Sequence, residues 1–206
     1  MISEEELAEL TPKQRARRRR VIETAISLAA DGGYEAVQMR EVATAADVAL
    51  GTIYRYFSSK DHLLAAAMAD LTGGLQTRVV EHPPKGSTMA DQLVDVFRRA
   101  TRALERQPKL TSALVTALSS PDAGVEASAT LVRGHVAAMA ESILADLDAE
   151  VRAGIIGVIG HVFYSTLTGW AHGRHSFSHI MKELEKAIRL LLAPYESSAG
   201  NGRRRR

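Results

Sequence analysis

The chain has no cysteine, which excludes a disulfide, a thiolate metal site and a cysteine nucleophile. Aromatic residues are also scarce: five tyrosines, four phenylalanines and one tryptophan among 206 residues. Because strand-favouring aromatics are few and alanine and leucine are abundant, the composition favours helix over sheet. The sequence therefore predicts an all-α fold.

Targeting and membrane signals are absent too. The N-terminus, MISEEELAEL, is acidic and lacks the basic-then-apolar pattern of a signal peptide. No run approaches the roughly 18 apolar residues that a membrane span needs. We expect a soluble, cytoplasmic protein.

The sequence also lacks the motifs of an enzyme. It has no phosphate-binding glycine loop, no nucleophile elbow and no paired metal-ligand motif. His161, His172, His175 and His179 include pairs at helical spacing, but Gly173 interrupts them and no carboxylate or thiol lies conveniently nearby. We expect no catalytic activity, no cofactor and no bound metal.

Positive charge is concentrated in two short runs. Residues 13–20, KQRARRRR, hold six basic residues, and residues 203–206 hold four arginines. Removing these ten from the 26 basic residues leaves 16 against 24 acidic ones, so the rest of the chain is acidic although the net charge is +2. Concentrated positive charge attracts a polyanion. The C-terminal run fits a solvated tail, whereas the run at 13–20 opens a helix.

Apolar periodicity predicts about nine helices. Thr11 can cap the first helix in a capping box with Gln14, and Gly32-Gly33 can end it. EHPPKGS is a linker, and the last helix is expected to end at Pro194. We expect a first domain at 1–62 with a flexible arm at 1–12, a second domain at 63–195, and a disordered basic tail at 196–206.

A helix-turn-helix is indicated by two short helices, at about 38–46 and 50–57, joined by a tight turn. Ile53 and Phe57 are one helical turn apart and share the inner face of the second helix. The other side chains of that helix should then point sideways or outward, where they suit phosphate oxygens and base edges: Thr52, Tyr54, Arg55 and Tyr56. Lys60, at the start of the next helix, would add a phosphate contact.

The segment QMREVATAADVALGTIYRYFSSKDHLL resembles the DNA-binding signature of TetR-family transcriptional repressors. This resemblance implies operator contacts by Thr52, Tyr54, Tyr56 and Lys60, and by Arg40 of the preceding helix. The turn residue that is usually glycine is Asp47 here, a residue type that tolerates the left-handed conformation better than most. The full set of expected DNA-binding residues is Arg17, Arg18, Gln38, Arg40, Leu50, Gly51, Thr52, Tyr54, Arg55, Tyr56 and Lys60.

The segments GGYEAVQMR, VIGHVFYSTLTGW and AIRLLL extend the resemblance over most of the chain, where it is similar to TetR-family repressors of steroid catabolism. This resemblance implies a DNA-binding domain at 1–62 and a ligand-binding and dimerisation domain at 63–195. The similarity implies a homodimer that binds a palindromic DNA operator and is released by a steroid-derived coenzyme A thioester. A fatty acyl-CoA or another hydrophobic small molecule is an alternative effector. A ligand-independent DNA-organising protein, with a fully packed C-terminal domain, is an alternative of another class.

Apolar side chains of the second half are candidates for the effector pocket: Leu93, Val96, Phe97, Leu114, Leu118, Met139, Ile143, Phe163, Leu167 and Trp170. Glycines recur every third residue in the helix at about 150–172, each at a cost of roughly 1 kcal/mol in helix propensity. Close approach of another helix at a dimer interface, or space for a ligand, would offset that cost. The resemblance places the last two helices at the interface, with Gly154, Gly157, Gly160, Ile180, Leu184, Ile188 and Leu191.

Overall fold

The computed structural model describes residues 9–202 of the chain, and describes side chains for residues 9–196. Within that range the chain forms nine α-helices and no strand, which confirms the all-α prediction. The helices are α1 (Pro12–Gly32), α2 (Met39–Ala45), α3 (Leu50–Tyr56), α4 (Lys60–Glu81), α5 (Met89–Glu105), α6 (Pro108–Leu118), α7 (Ala123–Glu141), α8 (Ala149–Ala171) and α9 (Phe177–Gly202). A 3₁₀ turn, Tyr34–Ala36, lies between α1 and α2.

The chain divides into two compact units. The first takes the described residues up to Leu71 together with Gln107–Val132, and the second takes Thr72–Arg106 together with the described residues from Arg133 onward. Helices α4 and α7 each contribute residues to both units. The domain boundary at residue 62 stays a prediction; in the structure α6 and the first half of α7 pack with the N-terminal helices.

Helix α1 begins with the predicted capping box. The Thr11 hydroxyl accepts the Gln14 N–H at 3.3 Å, and the Gln14 side chain accepts the Thr11 N–H at 2.8 Å. Gly33, at φ 76°, ends the helix. Leu10 is buried in the apolar core, so the expected flexible arm at 1–12 is wrong for this residue. Residues 1–8 of that arm lie outside the described residues.

The core of the first unit holds α2 and α3 in place. Side chains from α1, α2, α3, α4 and α6 form one apolar cluster. Its largest fully buried members are Ile22, Ile53, Phe57, Leu63, Leu64 and Leu114. Each such side chain contributes roughly 1.5–3 kcal/mol by leaving water, so the helix-turn-helix is fixed by a substantial core.

In the second unit, α9 packs against α5 and α8 through one apolar stripe. Ile180, Leu184, Ile188 and Leu192 follow one another at intervals of four and are fully buried. The predicted end at Pro194 is wrong, because α9 continues through this proline to Gly202. A helix can pass a proline by giving up one backbone hydrogen bond. The remaining residues of the predicted tail, 203–206, lie outside the described residues.

Helix α8 is unusually apolar for its exposure. By length and composition alone it could cross a membrane: its best 18-residue window has a mean hydropathy of 1.2, yet only 22% of that window is buried. The expectation that no segment approaches this length and apolarity is therefore wrong. Core helices of soluble proteins pass the same test, so length and composition alone do not establish a membrane span.

Candidate nucleic-acid interface

The turn between α2 and α3 depends on one residue in the left-handed conformation. Asp47 has φ 51°, which is the left-handed conformation that glycine usually adopts at this turn position, as the sequence predicted. Backbone bonds close the turn, from Asp47 N–H to Thr44 O at 3.2 Å and from Val48 N–H to Ala43 O at 3.0 Å. The turn fixes the direction in which α3 leaves α2.

Helix α3 presents part of its polar side to solvent. Tyr54 is 48% exposed, Gly51 and Arg55 are also exposed, and Thr52 and Leu50 are half-buried. Ile53 is fully buried on the opposite side. A phenol and a guanidinium on a short exposed helix can donate hydrogen bonds to phosphates and to base edges.

Tyr56 does not share that exposure. Only 3% of its surface is accessible, and its ring centroid lies 6.2 Å from that of Phe57. Ile53 and Tyr56 are related as i and i+3, so they lie on one face of α3, and Phe57 follows directly after the helix. The expectation that Tyr56 points outward is wrong, because this spacing turns its ring into the core.

Lys60, at the start of α4, is held by the turn after α1. Its Nζ lies 3.8 Å from the Tyr34 ring centroid, 3.4 Å from the Tyr34 carbonyl oxygen and 3.7 Å from Glu35 Oε2. The Tyr34 hydroxyl donates a hydrogen bond to Asp61 at 2.5 Å. Burial of Tyr34, together with this hydrogen bond, raises its pKa to about 12. The ammonium group is thus fixed at one place and only partly exposed.

The arginines of α1 have different roles. The Arg18 guanidinium lies 5.3 Å from the Phe57 ring centroid, and its buried Nε has no hydrogen-bond partner among the described residues. Burial lowers the pKa of Arg18, and the charge of Asp70 opposes that shift. Arg18 is half-buried and a cation–π contact holds its guanidinium against the Phe57 ring, so its expected contact with DNA stays a prediction. Arg17 is half-buried.

Arg20 was missed by the sequence analysis. Its Nε donates to the Ala46 carbonyl at 2.7 Å and its Nη2 to the Asp47 carbonyl at 3.3 Å, so it ties α1 to the turn before α3. Its position directly before the buried pair Val21 and Ile22 is a signal for such a structural role. Part of the basic run therefore supports α3.

Gln38 and Arg40 lie at the start of α2, and both are exposed. The Gln38 side-chain amide donates to the Glu35 carbonyl at 3.2 Å. Arg40 borders a shallow groove of about 400 Å³ formed with Leu28, Glu41, Thr44 and Ala45. Both residues are available to a polyanion.

A polar cluster behind α3 was also missed. The Ser58 hydroxyl donates to both carboxylate oxygens of Asp122 at 2.9 and 3.0 Å, and the Ser58 N–H donates to His62 Nδ1 at 3.2 Å. A hydrogen bond from Ser59, with others from Gly124 and Ser58, holds the pKa of Asp122 below its usual value. The cluster connects the turn after α3 to the segment before α7.

Comparison with known proteins identifies this arrangement. The family model for bacterial regulatory proteins of the tetR family matches residues 21–67, and that for the tetracyclin repressor-like C-terminal domain matches residues 86–191. The chain is 35% identical to the HTH-type transcriptional repressor KstR of Mycobacterium tuberculosis over 199 residues, which are 96% of this chain and 90% of KstR. The chain belongs to the TetR family.

Further TetR-family proteins agree in sequence and in fold. KstR of Rhodococcus jostii is 36% identical over 193 residues, 93% of this chain and 87% of its own length. A TetR regulator from Rhodococcus sp. RHA1 superposes with a TM-score of 0.78 at 30% identity, covering 87% of this chain and 97% of that one. Thermus thermophilus FadR, solved with lauroyl-CoA, shares the fold at 23% identity, with a TM-score of 0.69 over 85% of this chain and 93% of FadR. The chain is a DNA-binding transcriptional repressor.

In this TetR-family chain the expected pocket residues fall into both units. Leu93, Val96, Phe97, Met139 and Leu167 are buried in the second unit, and Phe163 meets Phe97 edge-on at 5.3 Å. Ile143 and Trp170, also in the second unit, are half-buried. Leu114 and Leu118 instead belong to the core of the first unit, because α6 packs its apolar side on α1. The structure does not gather all ten residues in one unit.

A cleft in the second unit was not foreseen. It has a volume of about 260 Å³ and is lined by Leu75, Arg78, Val79, His82, Arg99 and Ala103. Leu75 and Val79 also pack with three of the predicted pocket residues, Val96, Met139 and Ile143. The pocket residues were predicted from the periodic spacing of apolar side chains. That spacing does not indicate polar lining residues such as Arg78, His82 and Arg99.

The expected dimer-interface residues also divide. Ile180, Leu184 and Ile188 are wrong as interface residues, because they form the core of their own unit. Leu191 is half-buried. The glycines at 154, 157 and 160 have no neighbouring atom within 4 Å of an added Cβ. Among the described residues, no three His, Cys, Asp or Glu side chains gather as metal ligands.

Proposed function

We propose that the chain is a homodimeric repressor that binds a palindromic operator through α3 and is released by an apolar effector, a steroid-derived acyl-CoA. Its genes would be those of steroid or lipid catabolism, and it would act on the nucleoid in the cytoplasm. The exposed polar side of α3, on a helix-turn-helix fixed by a buried core, is the observation that carries the DNA half of this proposal.

The proposed operator contacts come from the exposed side chains around α3. Tyr54 and Arg55 would reach into the major groove, and Arg40 and Lys60 would contact phosphates. Gln38, Gly51 and Thr52 complete the proposed surface, with Leu50 at its edge. Two such helices in a dimer would read half-sites about 34 Å apart, one turn of DNA.

Dimerisation would cover the apolar surface of α8. Val158 on α8 is 47% exposed and Leu190 on α9 is 67% exposed. The open space over Gly154, Gly157 and Gly160 would let a helix of the partner approach closely. Exposed apolar surface of this kind would serve as an association surface.

The effector class rests on similarity. The chain is about 35% identical to KstR repressors over nearly its whole length. The steroid assignment follows from the resemblance of its sequence to TetR-family repressors of steroid catabolism. FadR, solved with lauroyl-CoA, shows that this fold accommodates an acyl-CoA. A fatty acyl-CoA is therefore the second candidate. The effector would act by preferring a conformation that does not fit the operator.

Fluorescence anisotropy on a labelled fragment of the DNA upstream of its own gene tests the proposal. The titrants are a steroid-side-chain CoA thioester and, in parallel, a long-chain acyl-CoA. Selective release by the steroid thioester is expected. Release by the long-chain acyl-CoA alone would move the assignment to the fatty acyl class, and DNA that stays bound in both titrations would remove the effector assignment.

Two variants test the contact surface in the same assay. Tyr54→Phe and Lys60→Ala are each expected to weaken operator binding by about 1 kcal/mol or more, because each removes a donor to DNA. Arg106→Ala, which changes an exposed arginine outside the helix-turn-helix, is the control. Unchanged affinity in either contact variant would contradict its role.

A further inference from the structure

The cleft of the second unit has an apolar floor and a basic rim. Leu75, Val79 and Ala103 supply apolar surface, while Arg78, His82 and Arg99 supply nitrogen donors. A volume of about 260 Å³ is below the range of roughly 300–1,000 Å³ that is typical of sites enclosing a whole ligand. The cleft is therefore suited to one end of a larger molecule.

Two rim residues, Arg78 in the last turn of α4 and His82 directly after that helix, are placed to act together. Arg78 and His82 are four residues apart, so their side chains lie on one face, and both are exposed. No described residue forms an ion pair with Arg78. An uncompensated guanidinium beside an imidazole favours an anion.

Arg99, on α5, lines the other side of the cleft and is held by hydrogen bonds. Its guanidinium donates to the carbonyl oxygens of His82 at 2.7 Å and Pro83 at 3.4 Å, and pairs with Asp95. Asp95 also accepts the Lys85 N–H at 3.0 Å. These bonds hold the linker after α4 against α5, so the rim is organised before a ligand arrives and Lys85 is anchored near it.

The floor leads to the apolar interior of the unit. Leu75 and Val79 pack with Val96, Val136, Met139 and Ile143 in one small cluster. An amphiphile could thus keep its charged end at the rim while its apolar part displaces side chains of that cluster. We propose that the cleft lined by Arg78, His82 and Arg99 binds the phosphate groups of an acyl-coenzyme A, with the acyl group directed toward that cluster; this inference rests on the proposed acyl-CoA effector.

Direct binding to the DNA-free protein tests the site. Isothermal titration of the full chain with free coenzyme A, with the steroid thioester and with the matching steroid carboxylic acid gives three affinities per variant. Arg78→Gln is expected to weaken coenzyme A and the thioester by about 10-fold or more, and the free acid far less, because only the first two carry phosphates. Arg78→Lys should restore part of this affinity.

Arg102→Gln is the matched control, since Arg102 is an exposed arginine of α5 that does not line the cleft. It should bind all three probes as the natural sequence does. Equal affinities in Arg78→Gln and the natural sequence would overturn the inference, and so would equal weakening of the carboxylic acid or the absence of measurable binding of coenzyme A and its thioester.

DNA release separates this inference from the proposed function. If coenzyme A and its thioester bind in an Arg78-dependent way but the thioester leaves the operator complex intact, the phosphate site stands and the effector role fails. If the thioester releases DNA equally well from the natural sequence and from Arg78→Gln, the effector role stands and the phosphate site fails.

Discussion

Two tyrosines of α3 differ in surroundings although they are only two residues apart. Tyr54 is 48% exposed and Tyr56 is 3% exposed. Tyr54→Ala should cost operator binding about 1–3 kcal/mol and change stability by at most about 0.5 kcal/mol. Tyr56→Ala should destabilise the fold by roughly 3–5 kcal/mol, as for other buried aromatics. Thermal unfolding and DNA titration of both variants measure the two effects; a stable Tyr56→Ala protein would contradict its assignment to the core.

The left-handed Asp47 makes a second residue-scale prediction. At φ 51° a residue with a Cβ is strained, and aspartate tolerates the conformation better than alanine. Asp47→Gly should be neutral or stabilising by about 0.5–1 kcal/mol, whereas Asp47→Ala should destabilise by about 1 kcal/mol. Urea unfolding measures both. If Asp47→Gly were less stable than Asp47→Ala, the aspartate side chain would stabilise the turn by more than its tolerance of the left-handed conformation.

His62 gives the first unit a pH dependence. Burial lowers its pKa from 6.5, the nearby Arg18 charge acts in the same direction, and Asp122 opposes them. As pH falls, His62 therefore binds a proton at a higher pH in the unfolded chain than in the folded chain. The free energy of unfolding should thus decrease as pH drops below about 6.5. Unfolding free energies between pH 7.5 and pH 5.5 measure the slope; these two values are about one unit either side of the ordinary pKa.

Two histidine variants isolate this contribution. His62→Gln should flatten part of the slope, while His172→Gln, which changes an exposed histidine after α8, should retain it. The same slope in both variants would assign the pH dependence to other groups. Asp122, whose pKa is lowered by its hydrogen bonds, should further reduce stability only in more acidic solution, as pH falls through its folded value.

At the scale of elements, the basic run on α1 should set the salt dependence of DNA binding. Arg18 and Arg20 are engaged within the first unit, which leaves Arg15 and Arg17 as candidates for phosphate contacts. Arg15→Gln with Arg17→Gln should reduce the slope of log K against log salt by about 0.9 for each phosphate that is no longer neutralised. Arg174→Gln, an exposed arginine outside α1, is the control. An unaltered slope would show that the run is only a solvated surface.

The positions of the helices could be predicted from the sequence more accurately than the face of each helix that is buried. The capping box of α1 and the left-handed turn at Asp47 depend on neighbouring residues, and both were predicted correctly. Tyr56 was expected to point outward because Ile53 and Phe57 alone were assigned to the inner face, whereas its i, i+3 spacing from Ile53 puts it on that same face. Ile180 was assigned to an interface because periodicity identifies an apolar face but not the chain that packs on it.

The site could be predicted only where local chemistry specifies it. The exposure of Tyr54 and Arg55 follows from the register of one short helix. The cleft at Arg78 and Arg99 joins residues of two helices across a linker, and the Ser58–Asp122 hydrogen bonds span 64 positions. Contacts between distant segments are set by packing, which a single sequence does not display.

For the whole molecule, the proposed dimer would cover the apolar surface of α8. Val158 and Leu190 are 47% and 67% exposed on α8 and α9. In a two-fold symmetric dimer each substitution occurs twice at the interface, so one buried charge is doubled. Val158→Arg should therefore weaken dimerisation by at least about 2–4 kcal/mol, roughly 30-fold to 1,000-fold in the dissociation constant. Sedimentation velocity over a concentration series measures it.

Val80→Arg is the matched control, because Val80 is 75% exposed on α4 and lies outside the proposed interface. It should remain dimeric, and both variants should keep the helical content of the natural sequence. Disruption of the dimer should also reduce affinity for the full operator far more than for a single half-site, because two linked α3 helices bind with a high effective concentration. A Val158→Arg protein that stays dimeric would place the interface elsewhere, and one that is monomeric yet binds the full operator normally would show that each protomer acts alone.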